Sequence, residues 1–295
     1  MRRILGTALL MVGGFVLAAG WMLGTWVPGH VLRTARAVDE TTQLTGTAAM
    51  AGADGLDHFR VKLTDHTTTD PTATTDTVSV WSDASCMVVD VPGAPDCVRA
   101  DDPTYRLVNA SVWSFATGRE DAFGVSDTDG LPSGLTPTHG LVNKFPFDTK
   151  KRDYPYWDTT LQRTVTATYA SEADFGGLDT YEFKVDVPET KVELAKGVEG
   201  TYATQQRIYV EPATGDVVQQ AVHAVTKLAD GSPAFITNLA FSPEQLDHSV
   251  SAAKWHLQLI HLMRRSPLPL MALGVLIMAF GLAKIRPRRG RRESW

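Results

Sequence analysis

Two apolar runs, one at each end of the chain, constrain this sequence more than any other feature. Ile4 to Val27 carries no charge, and neither does Pro267 to Ala283. Uncharged runs of about 18 residues or more suit a bilayer crossing, and the first would extend roughly 36 Å as a helix. The second, roughly 26 Å, sits at the short end of that range. The long segment between them is polar and rich in β-formers, so the expected layout is a folded domain held to a membrane by both ends.

Basic residues orient that layout. Arg2 and Arg3 precede the first run, and Lys284, Arg286, Arg288, Arg289, Arg291 and Arg292 follow the second. Lysine and arginine near a span stay on the cytoplasmic side, which places both termini inside and the middle outside. Arg264 and Arg265 oppose this but are outnumbered. A cleaved signal peptide is the alternative for the first run, with Ala35-Arg36-Ala37 as an A-x-A pattern. The run is longer than a usual h-region, however, and the pattern lies well beyond its end. The expected division is 1–3 cytoplasmic, 4–27 span, 28–241 extracytoplasmic β domain, 242–265 amphipathic helix, 267–283 span and 284–295 basic cytoplasmic tail. Gly20 and Gly24 form a G-x-x-x-G pair, and Gly274 and Gly281 lie seven apart. Small residues let helices approach closely in lipid, either within one chain or between copies.

The net charge of −5 conceals a split, because the basic residues concentrate at the ends and leave the middle acidic. Such a domain is a poor nucleic-acid binder. Cys86 and Cys97 bracket Val91-Pro92-Gly93-Ala94-Pro95, a reversal, and outside the cytoplasm they are expected to form a disulfide. Two cysteines with no neighbouring histidine do not make a metal site, and Asp127-Thr-Asp129-Gly130 lacks the closing Glu of a calcium loop. No metal or cofactor is expected.

Alternating apolar and polar residues predict strands at 58–66, 163–169 and 179–187. Further β-type stretches lie at 77–81, 105–115, 207–210, 217–227 and 234–241, while 28–57 is nondescript and 118–140 is loop-like. Glu211-Pro-Ala-Thr-Gly215-Asp216 reads as a hairpin turn. Strands joined by short turns, without intervening helices, indicate a mainly β, antiparallel meander. Ser242-Pro243-Glu244-Gln245 then caps a helix whose Leu246, Val250, Ala253, Leu257 and Ile260 share one face, as expected for packing on the sheet.

The densest unusual stretch is Lys144-Phe-Pro-Phe-Asp-Thr-Lys-Lys-Arg-Asp-Tyr-Pro-Tyr-Trp-Asp158. In one reading Phe145, Phe147, Tyr154, Tyr156 and Trp157 line a sugar or lipid groove while Lys144, Lys150, Lys151 and Arg152 meet phosphates. In the other the aromatics plug the sheet and the basic residues pair locally with Asp148, Asp153 and Asp158. With Gly177-Leu-Asp-Thr-Tyr-Glu-Phe183 and Tyr209-Val-Glu-Pro-Ala-Thr-Gly215, this block resembles the actinobacterial porin PorA family. That resemblance implies an envelope protein of a high-GC Gram-positive bacterium with no established enzyme chemistry.

Spanning barrels need an apolar belt and aromatic girdles, which these strands lack, so the sheet is not expected to cross the bilayer. No hydrolase, phosphate-loop or dinucleotide motif is present. The expectation is a non-enzymatic accessory protein of the cell membrane. Its outer domain would bind or present an envelope glycolipid or a membrane-protein partner. A subunit of an oligomeric porin-like channel, and hence a homo-oligomer, is the alternative.

Overall fold

The computed structural model describes residues 2–286 apart from 105 and 128. Most of the predicted basic tail, 287–295, lies outside the described residues. The chain forms two compact units, 1–33 with 257–295, and 34–256.

The larger unit is a curled sheet of ten antiparallel strands. These are β1 (Asp39–Gly52), β2 (Gly55–Thr69), β3 (Val78–Val89), β4 (Leu107–Gly118), β5 (Tyr154–Asp158), β6 (Arg163–Asp174), β7 (Asp179–Ala195), β8 (Val198–Val210), β9 (Val217–Leu228) and β10 (Pro233–Phe241). The predicted meander is present in a permuted form, with the spatial order β4-β3-β2-β1-β10-β9-β8-β7-β6-β5. The first and last strands in sequence meet at the centre, where Leu44 lies opposite Phe241 and Met50 opposite Phe235. The nondescript stretch therefore contains β1, a central strand. The edges of the sheet, β4 and β5, are joined through the long connection 119–153.

Each strand alternates between two faces. One face, here the inner one, carries Tyr154, Ala167, Phe183, Val185 and Ile208, and the connection covers it with Ala122, Leu141 and Phe145. A second cluster of Leu44, Val61, Met87, Leu239 and Phe241 continues the inner face across the other strands. Gly46 sits where β1 meets β10. A Cβ there would lie 1.9 Å from the Asn238 carbonyl oxygen, so glycine permits the close central contact.

Cys86 and Cys97 form the expected disulfide, closing the loop after β3. In the entropy model a loop of this size contributes roughly 3 kcal/mol.

A helix, α1 (Pro243–Arg265), follows β10 directly. The Ser242 hydroxyl accepts the Gln245 N–H at 3.0 Å, as predicted, but the Gln245 carboxamide accepts from Gln43 N–H of β1 instead of completing the capping box. Ala253 is buried, Lys254 donates to the Gly176 carbonyl, and His256 bonds Asp216. The helix thus crosses the β6–β7 and β8–β9 turns at one end of the sheet.

The smaller unit contains two apolar helices, Arg2–Thr25 and Pro267–Ile285, both long enough to cross a membrane. They pack along a seam of Gly6, Gly13 and Gly20 facing Gly281, Gly274 and Met271. A Cβ on Gly13 would lie 2.8 Å from the Gly274 carbonyl oxygen, so the backbones touch directly. This seven-residue spacing, more than the Gly20–Gly24 pair, makes the interface. Phe15, Met11, Leu276 and Phe280 point outward, an apolar exterior suited to lipid.

Candidate functional site

The three motifs singled out in the sequence converge on one place. Phe145 N–H donates to the Gly215 carbonyl at 3.0 Å, and Thr149 N–H to the Pro212 carbonyl at 2.8 Å. The start of the aromatic block is thereby bound to the Glu211–Asp216 turn. Gly215 has φ +76°, and a Cβ there would lie 2.1 Å from the Phe145 carbonyl oxygen, so glycine is required twice over. The buried Glu211 carboxylate accepts the N–H groups of Ala213 and Thr214, which fixes the turn from within. Phe145 stacks on Phe183 of the third motif at 4.6 Å, and Tyr154 meets Phe183 edge-on at 5.7 Å.

The residues proposed from the sequence consequently divide. Phe145, Tyr154 and Trp157 are 1%, 2% and 7% exposed and belong to the interior. Burial, then the nearby Asp158, pushes the Tyr156 phenol up to about 12. Phe147 lies beneath the Lys144 ammonium at 4.4 Å. Lys150, Lys151 and Arg152 remain on the surface. Lys151 pairs with Glu172, and Arg152 lies over the Tyr154 ring at 5.0 Å. Three of the five aromatics are buried in the core, while Phe147 and Tyr156 are half-buried.

Lys144 points toward a charged cluster at the same end of the sheet. Its ammonium is 3.9 Å from Asp216, which also bonds His256 Nδ1 at 2.8 Å. Burial holds Lys144 below the usual lysine range, against the pull of Asp216 and Glu40. Burial would raise Asp216, but the His256 hydrogen bond and the Lys144 charge outweigh it and keep the carboxyl low. The bond to Asp216 raises His256. The cluster ties the block, the turn and α1 together.

A second acidic site lies on the inner face between β2 and β3. Burial pushes Asp65 up to about 6, the neighbouring Asp83 adds to this, and Ser85 opposes it. One carboxylate oxygen of Asp83 is buried without a hydrogen-bond partner.

The outer face carries a feature that the sequence reading missed, an open groove of about 560 Å3. One row across the strands reads Lys184, Arg207, Ala221, Ala240, Thr45 and Lys62. The next reads Asp186, Gln205, His223, Asn238, Thr47 and Arg60. Each row crosses six strands, of which the groove is lined by the first five, so only the register between strands brings these residues together. Alternation within β7 and β8 marks Lys184 and Arg207 as outward-facing but does not make them neighbours.

No curated protein matches the chain. A family described as Porin PorA matches residues 5–283, nearly the whole length, so it includes both apolar helices as well as the sheet. The chain belongs to the porin PorA family.

Proposed function

We propose that this is a two-pass, non-enzymatic envelope protein whose sheet domain lies outside the cytoplasm and binds or presents an envelope glycolipid or a membrane-protein partner. The observation that carries this reading is the state of the inner face. β4 and β5 do not pair with one another; the connection runs between them through the bridges Thr117–Gly124, Phe123–Leu141 and Leu141–Tyr156, and its Leu141 and Phe145 pack with Tyr154 against the inner face. Apolar side chains occupy this part of the inner face, which favours a packed domain over a lumen. The glycine-seamed helix pair supports a tether, and Arg2, Arg3, Lys284 and Arg286 favour cytoplasmic termini over the opposing Arg264 and Arg265. Family membership and the half-barrel sheet are compatible with a porin-like role.

A second reading, an oligomeric channel, is favoured by the β4 edge. Residues 109–112 are exposed there, Val112 to 74%, and uncharged, whereas isolated edges usually carry protective charge or proline. Planar-bilayer recording of the purified full-length protein separates the two. The tether reading predicts no stepwise conductance. Reproducible steps that vanish in Val112→Pro, which blocks edge pairing, would replace it with the channel.

A further inference from the structure

We infer that the outer-face groove is a binding site for a saccharide bearing a single anionic group, phosphate or carboxylate, held at Lys184 and Arg207. This rests on the binding reading above and gives it a location and a ligand chemistry.

The first support is an arrangement that opposes folding. Lys184 and Arg207 stand directly opposite one another on adjacent strands and on one face. Like charges in that position repel. Arg207 approaches Glu182 only to 3.9 Å, and Glu182 already receives Ser171 and Tyr209. Among the described residues Lys184 has no ion-pair or side-chain hydrogen-bond partner. An anion between the two cations would remove the repulsion and supply the missing acceptor.

The cations at the other end of the two rows differ. Lys62 is paired with Asp96 at 2.8 Å and Arg60 lies 3.6 Å from Asp90, so that end is neutralised and offers no comparable anchor.

The second support is the floor. Between the two ends the row is Ala221, Ala240 and Thr45, small side chains that leave a trough. At about 4.8 Å per strand, Lys184 to Thr45 covers roughly 19 Å, the length of a short oligosaccharide. Beside the floor, Gln205, His223, Asn238 and Asp186 present amide, imidazole and carboxylate groups. His223 Nδ1 and Asn238 Oδ1 lie 2.7 Å apart and orient one another. Mixed donors and acceptors of this kind suit vicinal hydroxyls, and the apolar floor of Ala221 and Ala240 suits the apolar face of a sugar ring. The acidic domain around it disfavours a ligand of high charge density, which favours a single anionic group.

The test is isothermal titration of the full-length, detergent-solubilised protein with maltopentaose carrying one terminal phosphate, against neutral maltopentaose. Saturable binding of the phosphorylated probe is expected, with the neutral probe at least about tenfold weaker. Lys184→Gln with Arg207→Gln should weaken the phosphorylated probe at least about tenfold, and Ala240→Trp should abolish binding by filling the floor. Lys151→Gln with Arg152→Gln should change nothing.

No saturable binding by about 1 mM overturns the inference, as does equal affinity for the neutral probe or equal loss in the Lys151/Arg152 control. A co-purified envelope component that binds equally to the protein and to the Ala240→Trp variant would sink the groove while leaving the broader binding reading standing.

Discussion

Phe145→Ala is expected to destabilise the sheet domain by about 3–5 kcal/mol, enough to consume much of the stability of a typical domain. The ring is 1% exposed, stacks on Phe183 and meets Tyr154 edge-on, and the Phe145 N–H donates to the Gly215 carbonyl while its own carbonyl lies against Gly215. The space left by its removal lies between the connection 119–153 and the sheet, where no neighbouring strand can close it. Denaturant unfolding of the full-length protein, followed by tryptophan fluorescence, measures the loss. Replacing Lys150, Lys151 and Arg152 together by alanine should shift stability by less than about 1 kcal/mol, because these side chains are exposed and their pairs are screened. A Phe145→Ala cost below about 1 kcal/mol would mean that the ring is dispensable to the fold, and the groove reading of the block would return.

Asp65→Asn is expected to stabilise the protein above neutrality by up to about 3 kcal/mol, with the gain vanishing in acid. Burial raises the Asp65 carboxyl from 3.8 to about 6 in the folded state. Between these values the native protein binds more protons than the unfolded chain. Stability attributable to this group is therefore fully present below about pH 4 and lost as pH rises through about 6. Asparagine keeps an oxygen for Ser85 without a charge beside Asp83. Melting temperatures of wild type and variant across pH 4–8 should converge at the acidic end and separate at the alkaline end. Parallel curves, or separation at the acidic end, would contradict the assignment.

Much of the architecture was legible where alternation was strong. Residues 163–169, 179–187 and 217–227 lie within β6, β7 and β9, and Ser242 caps the helix as its spacing implies. β1 escaped notice because Asp39–Gly52 is built from threonine, alanine and glycine, small residues with little alternation. Its strand character comes from two partners, β2 nearby and β10 some two hundred positions away, and only the second makes it central. That pairing turns a simple meander into the permuted order, and no local pattern encodes it.

The aromatic block was recognisable as unusual, but its composition fitted a groove as well as a core. The contacts that decide come from Gly215 and Phe183, both distant in sequence. The outer groove was invisible for the same reason, since its rows exist only once the register is set. The disulfide, by contrast, follows from two cysteines around a tight reversal. The helix seam was half legible. The seven-residue spacing of Gly274 and Gly281 is visible in the second run, but their partners are Gly13 and Gly6, and of the G-x-x-x-G pair Gly20 joins the seam against Met271.

A tethered binding domain and a segment of a pore differ in what leaves the membrane with the protein. Native mass spectrometry of the full-length protein, released gently from its own membrane, tests this most directly. The expected result for a tethered domain is a low-order species carrying a discrete lipid or glycan adduct. A ligand-free ring of several copies would contradict that reading.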